Sequence, residues 1–172
     1  VYSERGNSIP ITNQIQRIYE KQLTSHFYPG NLSHGNVFVH LDDLFDAIIT
    51  AVDKRKELPK DVTINLGDPE TLGYQELQNI ISNEIHGKDW KTYKIPKLLA
   101  KAGARVQDIF GDPFIKPWMV DLADDHAEID ITRAKNMLGW VPKHSLRKTI
   151  PKMIAFLKAD HKAFYKVNDL KK

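Results

Sequence analysis

Cysteine is absent from the 172 residues of this sequence. Its absence excludes a disulfide framework, a thiolate metal site and a cysteine nucleophile, and it is typical of a cytoplasmic protein. The sequence also lacks a run of about eighteen apolar residues, so it predicts no membrane-spanning helix. Residues Val1 to Arg5 lack the basic and then apolar plan of a signal peptide, and the absence of a starting methionine favours a piece of a longer protein. We therefore expect a cytoplasmic protein with no membrane partner.

Neither sign of charge is in large excess. The 25 Lys and Arg residues and the 22 Asp and Glu residues leave a net charge of only +3, and the two signs are interspersed along the chain. This pattern argues against electrostatic binding to a nucleic acid. With 41% hydrophobic residues, a chain of this length can bury the core of one globular domain.

Two motifs of nucleotide chemistry are also absent, since the sequence has no glycine-rich dinucleotide loop and no phosphate-binding P-loop. The spacing Tyr-x-x-x-Lys occurs once, from Tyr93 to Lys97, but it joins a predicted strand to a helix that begins at Pro96. It is not interpreted as the tyrosine and lysine proton carrier that hydride chemistry of the reductase type needs. We therefore assign no catalytic residue, and we expect this chain alone to be catalytically silent.

The hydrophobic pattern predicts a mixed α/β chain that is rich in helices. Its clearest element is a helix after Leu41, which Asp42 or Asp43 can cap. Asp130 and Ser145 are expected to cap two later helices, the first of which ends at Gly139. The pattern predicts further helices from about residue 10 to 23, after residue 70 and from residue 96, strands at 37–41, 62–66 and 92–95, turns at 27–31 and 111–113, and a short helix or lid-like segment at 117–123.

Two histidines have acidic neighbours. His126 lies among acids, but these are adjacent in sequence rather than set at ligand spacing, so a helix cap and solvated acids explain them better than a metal does. No metal site is therefore predicted. His40 lies at the C-terminal end of a predicted strand, where open sheets bind ligands. It is interpreted either as a buried structural histidine or as a functional one.

Several sequence blocks occur in the order typical of one enzyme family. They resemble those of extended short-chain dehydrogenases/reductases of the NAD-dependent epimerase/dehydratase family, and together they span nearly the whole chain. Each block is weak alone, whereas their shared order is a strong signal. The blocks are Val1-Tyr2, Phe38 to Leu44 with Ala47, Thr63 to Gly67, Tyr74 to Leu77, Asp130 to Lys135, and Leu138-Gly139-Trp140-Val141-Pro142-Lys143.

The resemblance implies the C-terminal part of a Rossmann-like fold that lacks the N-terminal dinucleotide-binding βαβ units. Residues 1–66 would supply the last strands and helices of the sheet, and residues 67–172 the substrate-binding lobe. The missing N-terminal half would bind NAD or NADP and carry the Tyr-Lys pair, so this chain is expected to bind no cofactor alone. The truncated sheet edge also favours a homodimer.

The resemblance also implies a set of site residues. Val1, Tyr2 and Ser3 match the loop that passes near the nicotinamide. Asn31, Asn36 and His40 match positions on the segment that lines the substrate cleft. Asp43, also counted with the substrate site, resembles the acid that fixes the turn from strand to helix.

The substrate is less well defined by the resemblance. Family members that act on nucleotide-diphosphate sugars usually have an arginine at the position of Asn36. They are also expected to have a second arginine ahead of the Asp130 block, but Val120 and its neighbours include none. The apolar segment 115–120 favours a smaller or less charged substrate. We expect an NAD(P)-dependent oxidoreductase, epimerase or dehydratase of a sugar-like or other small carbonyl or alcohol substrate. The alternative is a non-catalytic binding module on the same scaffold.

Overall fold

The computed structural model describes the backbone of residues 1–110 and 120–171 and the side chains of residues 1–103 and 120–171. Its described part is helix-rich with a small parallel sheet, as the sequence predicts. The α-helices are α1 (Ile9–Tyr19), α2 (Leu41–Asp53), α3 (Tyr74–His86), α4 (Lys97–Phe110), α5 (Leu146–Ala159) and α6 (His161–Val167). Short 3-10 turns cover Leu23–His26 and Leu122–Asp124, and a π-helical turn covers Ala134–Leu138.

The strands are shorter than the pattern predicts. Strands β1 (Phe27–Tyr28) and β2 (Tyr93–Lys94) pair in parallel, so part of the predicted turn at 27–31 is a strand. Segments 37–41 and 62–66 form no continuous ladder. Instead, a single parallel bridge joins Tyr2 to His40. A strand needs a hydrogen-bonded neighbour along its whole length, and these segments have one at isolated points only.

The predicted helix caps are partly wrong. Asp42 and Asp43 lie in the first turn of α2, whereas His40 is its N-cap. Ser145 occupies the N-cap position of α5 without a side-chain hydrogen bond. The Asp68 carboxylate accepts the amide of Leu146, the first residue of the helix, at 3.1 Å.

Other helix ends follow the sequence. The Asp130 carboxylate accepts the Thr132 amide at 2.8 Å. Gly139 ends the π-helical turn and Gly87 ends α3, both in the left-handed conformation that glycine adopts without strain. The first helix ends at Tyr19 rather than at residue 23.

The chain divides into two compact units that alternate along the sequence. Unit 1 contains Val1–Ile15, Val37–Thr71 and Ala127–Lys172, and unit 2 contains Gln16–Asn36 and Leu72–His126. In unit 1 a core cluster is formed by Ala47, Ile131, Ala134, Leu138 and Trp140. In unit 2, Ile18, Ile81 and Trp90 are among the buried side chains. The predicted boundary at residue 66, between the last part of the sheet and the substrate-binding lobe, stays a prediction.

None of the described helices is long and apolar enough to cross a membrane. The predicted turn at 111–113 lies outside the described residues, as do residues 117–119 of the predicted segment 117–123 and most of the apolar segment 115–120.

Comparing two buried tryptophans measures the contribution of one hydrogen bond to stability. The Trp140 indole nitrogen donates to the Asp43 carbonyl at 2.8 Å, whereas that of the equally buried Trp90 has no partner. Trp140→Phe should therefore lower the free energy of unfolding by about 0.5–1.5 kcal/mol more than Trp90→Phe, because only Trp140→Phe breaks a hydrogen bond. Urea unfolding of both variants measures this difference. Equal losses would show that the bond contributes nothing.

Candidate functional site

The candidate site lies in unit 1, where the segment 37–40 enters α2. His40 is buried there, and its Nδ1 accepts the Asp42 amide hydrogen at 3.2 Å. Because Nδ1 supplies a lone pair, the ring proton is assigned to Nε2, which lies 3.2 Å from the Glu4 carboxylate. His40 therefore uses both ring nitrogens within the protein. The arrangement supports the interpretation of His40 as a structural histidine.

A buried carboxylate holds the other side of the site. Asp43 accepts hydrogen bonds from the Lys143 amide at 3.1 Å, the His144 amide at 3.0 Å and the His144 ring Nδ1 at 2.9 Å. Burial by itself raises the pKa of Asp43. The hydrogen bonds from His144 and Lys143 more than offset this effect and hold the pKa below its usual value. Asp43 is therefore an ionised anchor for the segment 143–144.

Aromatic rings close the centre of the site. The His40 and His144 rings stack with their centroids 4.0 Å apart and an interplanar angle of 16°. Tyr2 meets the His40 ring edge-on at 5.2 Å. Burial raises the pKa of Tyr2, and the negative charges of Asp68 and Asp43 raise it further. The Tyr2 phenol therefore stays protonated at neutral pH and is not a poised proton acceptor.

Glu4 connects this centre to solvent. Its carboxylate faces His40 on one side, and on the other its Oε1 lies 3.3 Å from the Lys152 ammonium. Burial opposes ionisation, but hydrogen bonds from its own backbone, from Lys152 and from His40, together with the attraction of His40, leave the Glu4 pKa below its usual value. Lys152, Glu4 and His40 therefore form a chain of polar contacts. The His144 ring stacks on His40 and is hydrogen-bonded to Asp43.

The same residues raise the question of a metal. Among the described residues, Glu4, His40 and His144 place one ligand atom each within 4.8 Å of the others. A metal ion binds imidazole in the ring plane, yet the two rings are stacked nearly parallel and share no such point. To bind a metal, His40 would also have to release the Asp42 amide from Nδ1 or lose its one ring proton from Nε2. The geometry therefore favours a hydrogen-bonded cluster over a metal centre.

A second buried carboxylate, Asp68, acts beside Asp43. Asp68 accepts the Glu70 amide at 3.0 Å with one oxygen and the Leu146 amide at 3.1 Å with the other. Its own amide donates to the Phe38 carbonyl at 2.7 Å. Asp68 thus fixes the start of α5 next to the segment that carries His40.

The residues predicted to contact a cofactor differ in their access to one. Tyr2 is fully buried, and Val1 is 49% exposed. The Ser3 hydroxyl accepts from the Asn7 side chain at 2.9 Å and from the Arg5 amide at 3.2 Å. The cofactor roles of Val1, Tyr2 and Ser3 stay predictions.

The predicted substrate residues fall in two units. His40 and Asp43 meet through His144 in unit 1, whereas Asn31 and Asn36 belong to unit 2. The Asn31 side chain is used within its own loop, where its oxygen accepts from the Ser33 hydroxyl at 2.9 Å and its nitrogen lies 3.1 Å from the His34 ring. Asn36 is exposed. Their substrate roles also stay predictions.

Sequence reasoning missed several members of the cluster, namely Glu4, His144 and Asp68. Glu4 directly follows the Val1-Tyr2-Ser3 segment, and His144 follows the Trp140 to Lys143 block, so both adjoin segments that the sequence singles out. Only the fold shows that they meet, since they lie more than a hundred residues apart. Asp68 has the residue type of a cap but lies in a different segment from the helix that it caps.

Comparisons with known proteins show the fold. No protein-family model matches the sequence, and no curated protein is similar to it. A UDP-glucuronic acid 4-epimerase variant from Bacillus cereus, solved with NAD and a fluorinated UDP-glucuronic acid, matches 90% of this chain with a TM-score of 0.60 and 16% identity. MoeE5, solved with UDP-glucose and NAD, matches 84% with a TM-score of 0.54 and 18% identity.

A candidate epimerase from Burkholderia cenocepacia J2315 matches 87% of the chain with a TM-score of 0.58 and 13% identity. The chain covers 41% of the length of each of these three structures. It therefore shares the fold of a part of such proteins, and that part is their C-terminal one.

The charge of Asp43 should be visible in the stability of the protein. Asp43→Asn removes the negative charge of a carboxylate that accepts hydrogen bonds from three N–H groups. We therefore expect the free energy of unfolding to fall by about 2–3 kcal/mol at pH 7. Because the Asp43 pKa is lower in the folded state, its contribution is complete above the unfolded pKa of about 4 and is lost as the pH falls through the folded pKa.

Urea unfolding of the wild type and of Asp43→Asn between pH 7 and pH 2 measures this effect. The difference between the two proteins should be constant near neutrality and shrink below a pH of about 4. The exposed Asp61 provides the control, since Asp61→Asn should leave stability unchanged. A difference that persists at the lowest pH would contradict a role for the Asp43 charge.

Proposed function

We propose that this chain is the C-terminal, substrate-facing part of an NAD(P)-dependent oxidoreductase, epimerase or dehydratase of the extended short-chain dehydrogenase/reductase family. The observation that supports this best is the fold likeness, which extends over most of the chain and about two fifths of each matched structure. The sequence blocks of that family, found in the same order, support it independently.

Among the described residues, the first three offer only part of a cofactor site. Only Val1 of the first three residues is substantially exposed, and the Ser3 hydroxyl is already hydrogen-bonded. In the proposed enzyme, residues 1–3 form one wall of the cofactor site. The phosphate-binding loop and the tyrosine proton carrier belong to the remainder of the protein, where the cofactor supplies hydride transfer.

The role of this chain is then to bind and orient the substrate. Asn36 is the better candidate for a direct contact because its side chain is exposed, whereas the Asn31 side chain shapes its own loop. A neutral amide can donate to and accept from hydroxyl groups, which suits a sugar-like or small alcohol substrate. His40 and Asp43 act as positioning residues that fix the start of α2.

Calorimetric titration of NAD and NADP tests the assignment. We expect the full-length product of the gene to bind one of them and the 172-residue chain to bind neither, because the chain lacks the phosphate-binding loop. If the full-length protein binds neither dinucleotide, the oxidoreductase assignment is wrong and a non-catalytic binding module takes its place.

The role of Asn36 can be tested in the full-length protein with UDP as the probe. Asn36→Arg should strengthen UDP binding by about tenfold, because a guanidinium forms two charge-assisted hydrogen bonds to a diphosphate. Asn36→Gln keeps a neutral amide and should leave the affinity unchanged. Calorimetry measures both variants, and an unchanged affinity of Asn36→Arg would place Asn36 outside the substrate cleft.

A further inference from the structure

Helix α4 turns its apolar side away from the rest of unit 2. Leu98 is 78% exposed and Leu99 is 63% exposed, and Ala102, on the same side of the helix, is exposed as well. Within the part of the chain that the structure describes, no other large apolar side chain is as exposed as Leu98. An ordinary surface helix has the reverse arrangement, with its apolar side towards the core.

The polar side of α4 faces the protein instead. The Lys97 ammonium lies 2.8 Å from the Asp124 carboxylate, and Lys101, one turn further along the helix, lies 2.6 Å from Asp121. The Lys97 ammonium also donates to the Asp121 carbonyl at 3.2 Å. These contacts direct both lysines back to the segment 121–124, so the leucines of α4 point outwards.

The chain that leads into α4 is basic. Residues 88–103 contain five lysines and one acidic residue, Asp89. Lys97 and Lys101 are paired with acids, whereas Lys88, Lys91 and Lys94 are exposed in the segment before the helix. The apolar side of α4 is therefore accompanied by an excess of positive charge.

This combination indicates what covers the leucines. Lysine is depleted in protein–protein interfaces, whereas anionic lipid headgroups attract clustered lysines. A helix with leucines on one side and lysines on the other is typical of helices that lie in the plane of a membrane interface. Tyr93, which is 55% exposed just before α4, has the apolar ring and polar tip that are common at such interfaces.

We propose that α4 docks the protein on the surface of an anionic lipid bilayer. Leu98 and Leu99 enter the boundary between headgroups and acyl chains, and Lys88, Lys91 and Lys94 contact the headgroups. Such docking needs no spanning helix, so it differs from the expectation of no membrane partner, which rested on the absence of a spanning run and of a signal peptide. It goes beyond the proposed function, because it depends on neither the dinucleotide nor the substrate.

Vesicle flotation of the full-length protein over a series of lipid concentrations tests this docking. The wild type should bind vesicles of phosphatidylcholine and phosphatidylserine at least about tenfold more tightly than vesicles of phosphatidylcholine alone. The double variant Leu98→Gln/Leu99→Gln should bind the mixed vesicles about tenfold more weakly than the wild type. Ile9→Gln is the matched control, because Ile9 is 65% exposed but lies in unit 1, and it should bind like the wild type.

A dye attached to Leu98→Cys gives a second readout, since its emission should shift to the blue when mixed vesicles are added. The full-length protein without this substitution, treated in the same way, gives the background. The proposal is overturned if the wild type binds neither kind of vesicle, if it binds both kinds equally, or if the double variant binds as tightly as the wild type. A dye at residue 98 that is already shielded without vesicles would show that another part of the protein covers α4.

Discussion

Two buried carboxylates hold unit 1 together around one short segment of chain. Asp43 accepts the amides of Lys143 and His144, and Asp68 accepts the amide of Leu146. Residues 143–146 connect the Trp140 block to α5. Without the two acids, the buried Leu146 amide and the half-buried Lys143 and His144 amides would lose these partners. Because an unpaired buried amide costs about 1–3 kcal/mol, these acids decide where α5 begins.

The rest of the candidate site depends on this arrangement. Fixing His144 places its ring on the His40 ring, and His40 in turn caps α2 and contacts Tyr2 and Glu4. Residues from three distant segments are thereby held in one cluster whose polar groups are largely satisfied internally. Such a cluster is suited to positioning neighbouring loops rather than to exchanging protons with a substrate. This agrees with the positioning role that we propose for His40 and Asp43.

Local patterns predicted several of the local features correctly. The apolar spacing predicted α2, and the glycines predicted the ends of α3 and of the Ala134–Leu138 turn. Features that depend on distant residues could not be predicted in this way. Asp43 has the residue type and position of a cap, but its carboxylate is used by a segment a hundred residues away. The strands at 37–41 and 62–66 have the correct composition, yet a ladder also requires neighbours, and those are few in the described residues.

Amide hydrogen exchange of Lys143, His144 and Leu146, followed by NMR, tests the central claim most directly. If Asp43 and Asp68 hold this segment as described, these amides should exchange only on global unfolding, as slowly as amides within α5. The amide of the half-exposed Val141, in the neighbouring segment of the same chain, serves as the internal reference. Exchange of all three amides at the rate of an open loop would contradict the account, because the segment would then be held by something other than the two carboxylates.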